Sequence, residues 1–405
     1  LTSEWREVRI QDLAEKVGMG PFGSSIKVST FVDDGVPVIS GHHLKDVRLS
    51  DENFNFITEE HAERLKNSNV YPGDVIFTHA GTIGQVAFIP EDARYKRYVV
   101  SQRQFYLRCN RAAADPAFIA YYFRSREGRR KLLANANATG VPSIAQPVSY
   151  LKSLKIPLPP LEEQRSIAAV LSVLDDKIEL NRAIIRNLEA MAEALYRRWF
   201  VEYEFPDEEG RPYRSGEGLF TDSELGPIPA GWTVRKLGDV LELRYGKALK
   251  ESERVPGPVP VYGSNGPVGT HHEALVRGPG IVVGRKGYPG TVKFAEQDFF
   301  PIDTAYYVAL KNTPPDAMIY YYHLLVSQNL RQLASDSAVP GLNRNIVYMN
   351  RAVIAPDSVI AAFEACVRPI RDLVAGKEQE NRKLVELRDT LLPKLMSGEI
   401  RVPDE

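Results

Sequence analysis

Leu161-Glu162-Glu163-Gln164-Arg165-Ser166-Ile167-Ala168-Ala169-Val170-Leu171 opens a run that follows Pro159-Pro160 and reaches Phe205 with neither glycine nor proline. Those two residues are the strongest helix breakers, so the run predicts one long helix over 161–205. Alternating steps of four and three pick out Ile167, Leu171, Leu174, Ile178, Asn181, Ile185, Leu188, Ala192, Leu195 and Trp199, and every one except Asn181 is apolar. A stripe this narrow is a coiled-coil seam rather than the broad face of a helix lying on a domain core. Residues 357–405 carry a second seam: Val359, Phe363, Cys366, Ile370, Leu373, Lys377, Glu380, Leu384, Leu387 and Leu391, polar only at its middle. Pro369 is expected to kink or interrupt that helix, and Pro393 lies near its end.

On either side of the first run the chain is written twice. Glu4-Trp5-Arg6-Glu7-Val8-Arg9-Ile10-Gln11-Asp12-Leu13 is echoed by Gly231-Trp232-Thr233-Val234-Arg235-Lys236-Leu237-Gly238-Asp239-Val240. Val36-Pro37-Val38-Ile39-Ser40-Gly41 returns as Val259-Pro260-Val261-Tyr262-Gly263-Ser264. Val75-Ile76-Phe77, followed by Gly81-Thr82-Ile83-Gly84-Gln85-Val86, matches Ile281-Val282-Val283, followed by Gly287-Tyr288-Pro289-Gly290-Thr291-Val292. Gly140-Val141-Pro142 resembles Ala338-Val339-Pro340. The order is kept and the offset stays near 200 residues, which chance similarity would not sustain. Each copy begins with short β-branched and aromatic runs between turn residues, and the two apolar triplets read as buried strands. Asp115 to Leu133 and Pro315 to Leu333 read as helices that start at proline. The fold class is therefore α+β: two domains related by a pseudo-two-fold axis, 1–160 and 206–356, separated by two long antiparallel coiled-coil helices, 161–205 and 357–405.

Connectivity sets the helix pairing, because 206–356 joins the end of one helix to the start of the other. An antiparallel pair follows, and Asn181-Arg182 recurs as Asn381-Arg382 at an offset of 200 residues. Asn181 and Asn381 are expected to meet near the axis, where a polar residue fixes register at some cost in stability. A straight helix of about 40 residues spans roughly 60 Å, enough to hold two sites several base pairs apart on a duplex.

Composition excludes other classes. Hydrophobic residues make up 43% and charged residues 25%, the balance of an ordinary globular chain. No stretch approaches a membrane span and the first residues lack a signal-peptide pattern, so the chain is expected to be cytoplasmic. Cys109 and Cys366 are too few for a disulfide framework or a thiolate zinc site, and both are expected to be buried free thiols. A net charge of −1 hides an uneven distribution: residues 94–131 hold eleven basic groups against two acidic, and 241–293 hold eight against four. Screening confines each charge to roughly 10 Å, so such patches can still meet phosphates.

Catalytic motifs are missing. Asp115-Pro116-Ala117-Phe118 lacks the second proline of an adenine methyltransferase motif and reads as a helix start, and no phosphate-binding Gly-Lys-Ser/Thr loop exists. His42-His43 and His271-His272 lack convincing metal-ligand partners. No cofactor and no metal are expected.

Leu158-Pro159-Pro160-Leu161-Glu162-Glu163-Gln164-Arg165-Ser166-Ile167-Ala168, then Leu174-Asp175-Asp176-Lys177-Ile178, resembles the specificity subunits of type I restriction–modification systems. Leu195-Tyr196-Arg197-Arg198-Trp199-Phe200-Val201, Val283-Gly284-Arg285-Lys286-Gly287 and Leu387-Arg388-Asp389-Thr390-Leu391-Leu392-Pro393-Lys394-Leu395 extend the resemblance over nearly the whole chain. Pro356-Asp357 departs from it, lacking a second Pro-Pro-Leu-Glu-Glu-Gln run. The resemblance implies two target-recognition domains, each reading one half of a bipartite, asymmetric site on double-stranded DNA. It also implies helices that dock two modification (methyltransferase) subunits, to which restriction (endonuclease and translocase) subunits add. Methylation with S-adenosylmethionine and ATP-driven cleavage would belong to those partners, and this chain would not be an enzyme.

Base readout needs paired donors and acceptors on a rigid frame, whereas phosphate contact needs only a reachable cation or amide. In the second domain the candidates are Arg285, Lys286 and Tyr288, supported by Lys247, Lys250, Ser264, Asn265, Asn343 and Arg344. In the first they are His42, His43 and Lys45, then His79 and Thr82, then Gln102 and Arg103. The alternative is a scaffold whose repeated domains bind proteins without reading DNA sequence.

Overall fold

The computed structural model describes residues 5–23, 25–137, 140–311, 316–334 and 341–402. They form two compact units, one of Leu1–Leu180 with Asn381–Glu405 and one of Asn181–Glu380. The repeated sequence is a repeated topology. In the first unit an antiparallel sheet runs in the order Ala14–Met19, Gln104–Cys109, Asp74–Thr78, Val86–Phe88. In the second the order is Leu241–Tyr245, Ala305–Leu310, Gly280–Gly284, Val292–Ala295. Each unit adds a second sheet in which one strand pairs in parallel, Val36–Ile39 with Tyr98–Val100 and Val259–Gly263 with Phe300–Pro301. Val75, Ile76 and Phe77, like Ile281, Val282 and Val283, are buried on both faces, which is why these runs are continuously apolar.

A two-stranded ribbon leads the chain into each long helix. Arg6–Arg9 pairs with Lys155–Leu158 ahead of the helix Leu161–Phe200, and Thr233–Lys236 pairs with Arg351–Ile354 ahead of the helix Asp357–Ser397. The two long helices pack together and run antiparallel. In the first unit the Ile178 carbonyl accepts from Asn381 Nδ2 at 3.3 Å, Asp175 accepts from Arg388 at 2.6 Å, and Ile167 and Leu171 share a core with Leu395 and Met396. In the second, the Phe363 ring lies 5.0 Å from Phe200 and 5.7 Å from Trp199. Among the described residues no helix is long and apolar enough to cross a membrane.

Several expectations are corrected. The first long helix ends at Phe200, before a turn in which Tyr203 has a φ of 60°. The helix read over 115–133 is two, Pro116–Arg124 and Arg126–Leu133. Ser125 breaks it with an extended backbone while its hydroxyl caps the second helix by accepting from the Gly128 N–H. In the second unit the helix is Met318–Ser327, Asn329 turns left-handed, and a 3-10 turn follows at Leu330–Leu333. Pro315, its expected start, lies outside the described residues, as do Ala338-Val339-Pro340 and Glu4.

Pro369 does not interrupt the second long helix: Pro369 and Ala365, whose carbonyl loses its donor, are both exposed, so water can replace the missing bond. Cys109 is buried but Cys366 is exposed. Leu373 and Leu387 are exposed too, because alternate seam members lie one residue further on. Phe363, Val367, Ile370, Val374, Lys377, Asn381, Leu384, Arg388, Leu391 and Leu395 keep the four-three step, and none of them is exposed. Asn181 is fully buried in the first seam, as its place there requires.

Candidate nucleic-acid interface

In both units the strand after the buried triplet stops in a glycine turn held against a neighbouring loop by the same main-chain bonds. His79 N–H donates to the Arg103 carbonyl and Ile144 N–H to the His79 carbonyl, at 2.9 and 2.8 Å. Arg285 N–H donates to the Thr304 carbonyl and Leu342 N–H to the Arg285 carbonyl, each at 2.9 Å. These bonds superpose His79 on Arg285, Thr82 on Tyr288, and Gln102-Arg103 on Asp303-Thr304. The side chains repeat the pattern: His79 Nε2 lies 3.0 Å from the Gln102 carbonyl, and Arg285 Nη1 donates to the Asp303 carbonyl at 2.8 Å. One frame therefore carries different chemistry at matching places.

Glycine is required where the loops converge. A Cβ on Gly20 would sit 1.9 Å from the Ser101 carbonyl oxygen, and one on Gly246 would sit 2.2 Å from that of Ile302. A Cβ on Gly284 would meet the Tyr288 oxygen at 2.2 Å and the Ser264 oxygen at 2.6 Å. Ser264 and Asn265 form the tip of the hairpin Val259–Gly263 and Gly266–His271, so this tip rides against the loop that carries Lys286 and Tyr288. Lys286, Tyr288 and Asn265 are exposed.

Arg285 and Arg344 both lie over the ring of Tyr245, 5.0 and 4.9 Å from its centroid. Tyr245, which sequence reasoning missed, ends the strand Leu241–Tyr245 just before Gly246, and its ring is half exposed. A tyrosine placed immediately before an obligatory glycine at a strand end was its available signal. Arg344 Nη1 also donates to the Leu243 carbonyl at 3.3 Å. Asn343 caps the helix Arg344–Met349, accepting from Asn345 N–H at 2.9 Å, so its carboxamide oxygen is already engaged. Lys247 follows the Tyr245 strand, with its N–H on the Pro301 carbonyl at 3.1 Å. Lys250 keeps to its own turn and pairs with Glu253.

The first unit brings together His79, Thr82, Gln102 and Arg103, the last three exposed. Burial holds the His79 ring below the ordinary imidazole value, so it is neutral near pH 7. His42 and Lys45 are exposed on the neighbouring turn, where a Cβ on Gly41 would lie 3.1 Å from Gln85 Oε1. His43 does not join them. It is 1% exposed, stacks on Phe54 with ring centroids 4.2 Å apart, and burial pushes it down to about 4. It is a core residue and, contrary to expectation, no part of the candidate surface. In the second unit His271, His272 and Glu273 bring one ligand atom each within 4.8 Å of one another. His271 Nδ1 already accepts from Val255 N–H at 3.1 Å, and the other two are exposed, so the triplet supports no metal assignment.

A duplicated frame bonded alike in both units, with divergent polar loops, is the class this geometry defines. The family model of the type I restriction modification DNA specificity domain matches residues 2–190 and 229–347. The chain belongs to that family, and it is a DNA specificity subunit. Such subunits are non-catalytic, the enzymatic activities lying in the modification and restriction subunits, and they assemble with other subunits and DNA. The MjaIX specificity subunit of Methanocaldococcus jannaschii is 24% identical over 100% of this chain and 95% of its own. The HindI specificity subunit of Haemophilus influenzae is 23% identical over 81% of this chain and 86% of its own. The crystal structure of a type I S subunit from M. genitalium shares the fold, with a TM-score of 0.58, 19% identity, and coverage of 100% of this chain and 98% of that one.

Proposed function

We propose that the chain reads an asymmetric, bipartite target on double-stranded DNA, with 1–160 and 206–356 as target-recognition domains that each take one half. The carrying observation is the matched pair of loop frames, bonded identically but bearing His79, Thr82 and Gln102 in one unit and Arg285, Tyr288 and Asp303 in the other. Identical frames position the duplex alike; different side chains read different base edges. Segments 161–205 and 357–405 serve as spacer helices and dock two modification subunits, to which restriction subunits add, in the cytoplasm. Asn181 and Asn381 set the register of the helices; their support is that each is a polar member of a largely apolar seam.

Methylome sequencing of cells with and without this chain tests the reading. A bipartite motif with unequal halves is expected to vanish when the chain is removed. An unchanged methylome under proven expression of the complex would overturn it.

A further inference from the structure

We propose that Arg285 and Arg344, held on the ring of Tyr245, are the guanine-reading pair of the second unit; this rests on the reading of DNA by that unit. Guanine presents O6 and N7 side by side in the major groove, and a guanidinium edge with two parallel N–H groups matches both at once. Such a fork discriminates best when it is already fixed before DNA arrives, because a wandering side chain loses rotamer entropy on binding. Both arginines are fixed. Arg285 commits Nη1 to the Asp303 carbonyl and Arg344 commits Nη1 to the Leu243 carbonyl, which leaves the Nε and Nη2 edge of each as the fork.

The platform is fixed as well. Tyr306 packs against Tyr245 with centroids 5.1 Å apart, and its hydroxyl donates to the Leu342 carbonyl at 3.0 Å. Leu342 N–H returns to the Arg285 carbonyl, which closes the cage. Among the described residues neither guanidinium is paired with a carboxylate, and the platform is 49% exposed, so two cations stand at a surface unneutralised. Among the described residues the matching positions of the first unit carry no such pair. His79 replaces Arg285, Met19 ends the strand where Tyr245 does, and Gln146 stands two residues past Ile144 as Arg344 does past Leu342. The fork belongs to one half of the target.

The test uses the full chain assembled with its modification subunits and the duplex identified by methylome sequencing. 7-Deazaguanine, which lacks the N7 acceptor but still pairs with cytosine, is placed singly at each guanine. Wild-type affinity is expected to fall roughly 5- to 150-fold at one or two guanines of a single half-site. Arg285→Met and Arg344→Met, which remove the donors but keep an unbranched stem on the Tyr245 ring, should bind normal and modified duplexes alike at those positions and admit other base pairs there. Tyr245→Leu should weaken discrimination at the same positions.

Tolerance of every 7-deazaguanine in both halves by the wild-type complex overturns the proposal, and this measurement needs no variant to fold. Methionine variants that weaken binding uniformly while keeping base preference overturn it too, since they would mark phosphate contacts. A wild-type complex with no sequence preference would instead bring down the DNA reading on which the pair depends.

Discussion

Gln164 and Glu364 stand 200 residues apart on the two long helices, and each accepts a main-chain N–H from its own unit, that of Asp115 at 2.9 Å and of Tyr320 at 2.8 Å. One is neutral; the other is an acid that burial pushes up to about 7. Below the ordinary value of 4.5 folded and unfolded chains both hold the proton. As pH rises from there to about 7 only the unfolded chain ionises, so stability falls through that window and stays lower above it. Glu364→Gln keeps the acceptor and removes the penalty. It is expected to stabilise the second unit by about 1–3 kcal/mol at pH 8 and to leave pH 4 unchanged, as read from urea unfolding at both. The cysteines give a second check: iodoacetamide should label Cys366 in the native chain and Cys109 only in denaturant, where the thiol that burial pushes up to about 12 regains its reactivity. At this scale the sequence identified which loops converge but not the side chains' orientation. His43 has the same composition signal as His42, and only packing against Phe54 separates them.

For the long helices, existence and pairing were legible because a glycine-free run with a four-three step has few other solutions. The phase of the second seam was not. Cys366 and Leu373 are as apolar as Val367 and Val374, so the pattern alone admits either set, and a slip of one residue turns a side chain by about 100° around the helix. Val374→Ala should therefore cost about 1–3 kcal/mol, whereas Leu373→Ala should stay within about 0.5 kcal/mol, measured by chemical denaturation. The helix over 115–133 failed for a tertiary reason. A Cβ on Gly128 would lie 2.0 Å from the Tyr122 carbonyl oxygen, so the chain turns sharply at Ser125 to bring the two short helices into close approach. Nothing local in Ser125 distinguishes a cap from an exposed helical serine.

Across the whole molecule, the duplication was the most legible feature, since repeated order at a constant offset does not depend on any one residue. On the proposed spacer role of the long helices, its functional consequence is a ruler. Inserting one heptad at matched places in both long helices adds about 10 Å, and the unread spacer of the target is expected to grow by about three base pairs. Methylome sequencing of cells carrying the insertion reads this directly, and an unchanged spacer would end the idea. The target itself was not legible, because a side chain's base preference depends on how its frame meets the groove.

The first unit is assembled from two distant stretches, whereas the second is one continuous stretch. During synthesis the ribosome therefore releases everything the second unit needs while the first still lacks Leu395 and Met396 for its core. Asp175, already hydrogen-bonded by the Tyr121 hydroxyl at 2.7 Å, must wait for Arg388 to emerge more than 200 residues later. The earlier-made unit is thus the later to close, and a nascent chain halted near residue 380 would present an uncovered apolar seam to chaperones and proteases.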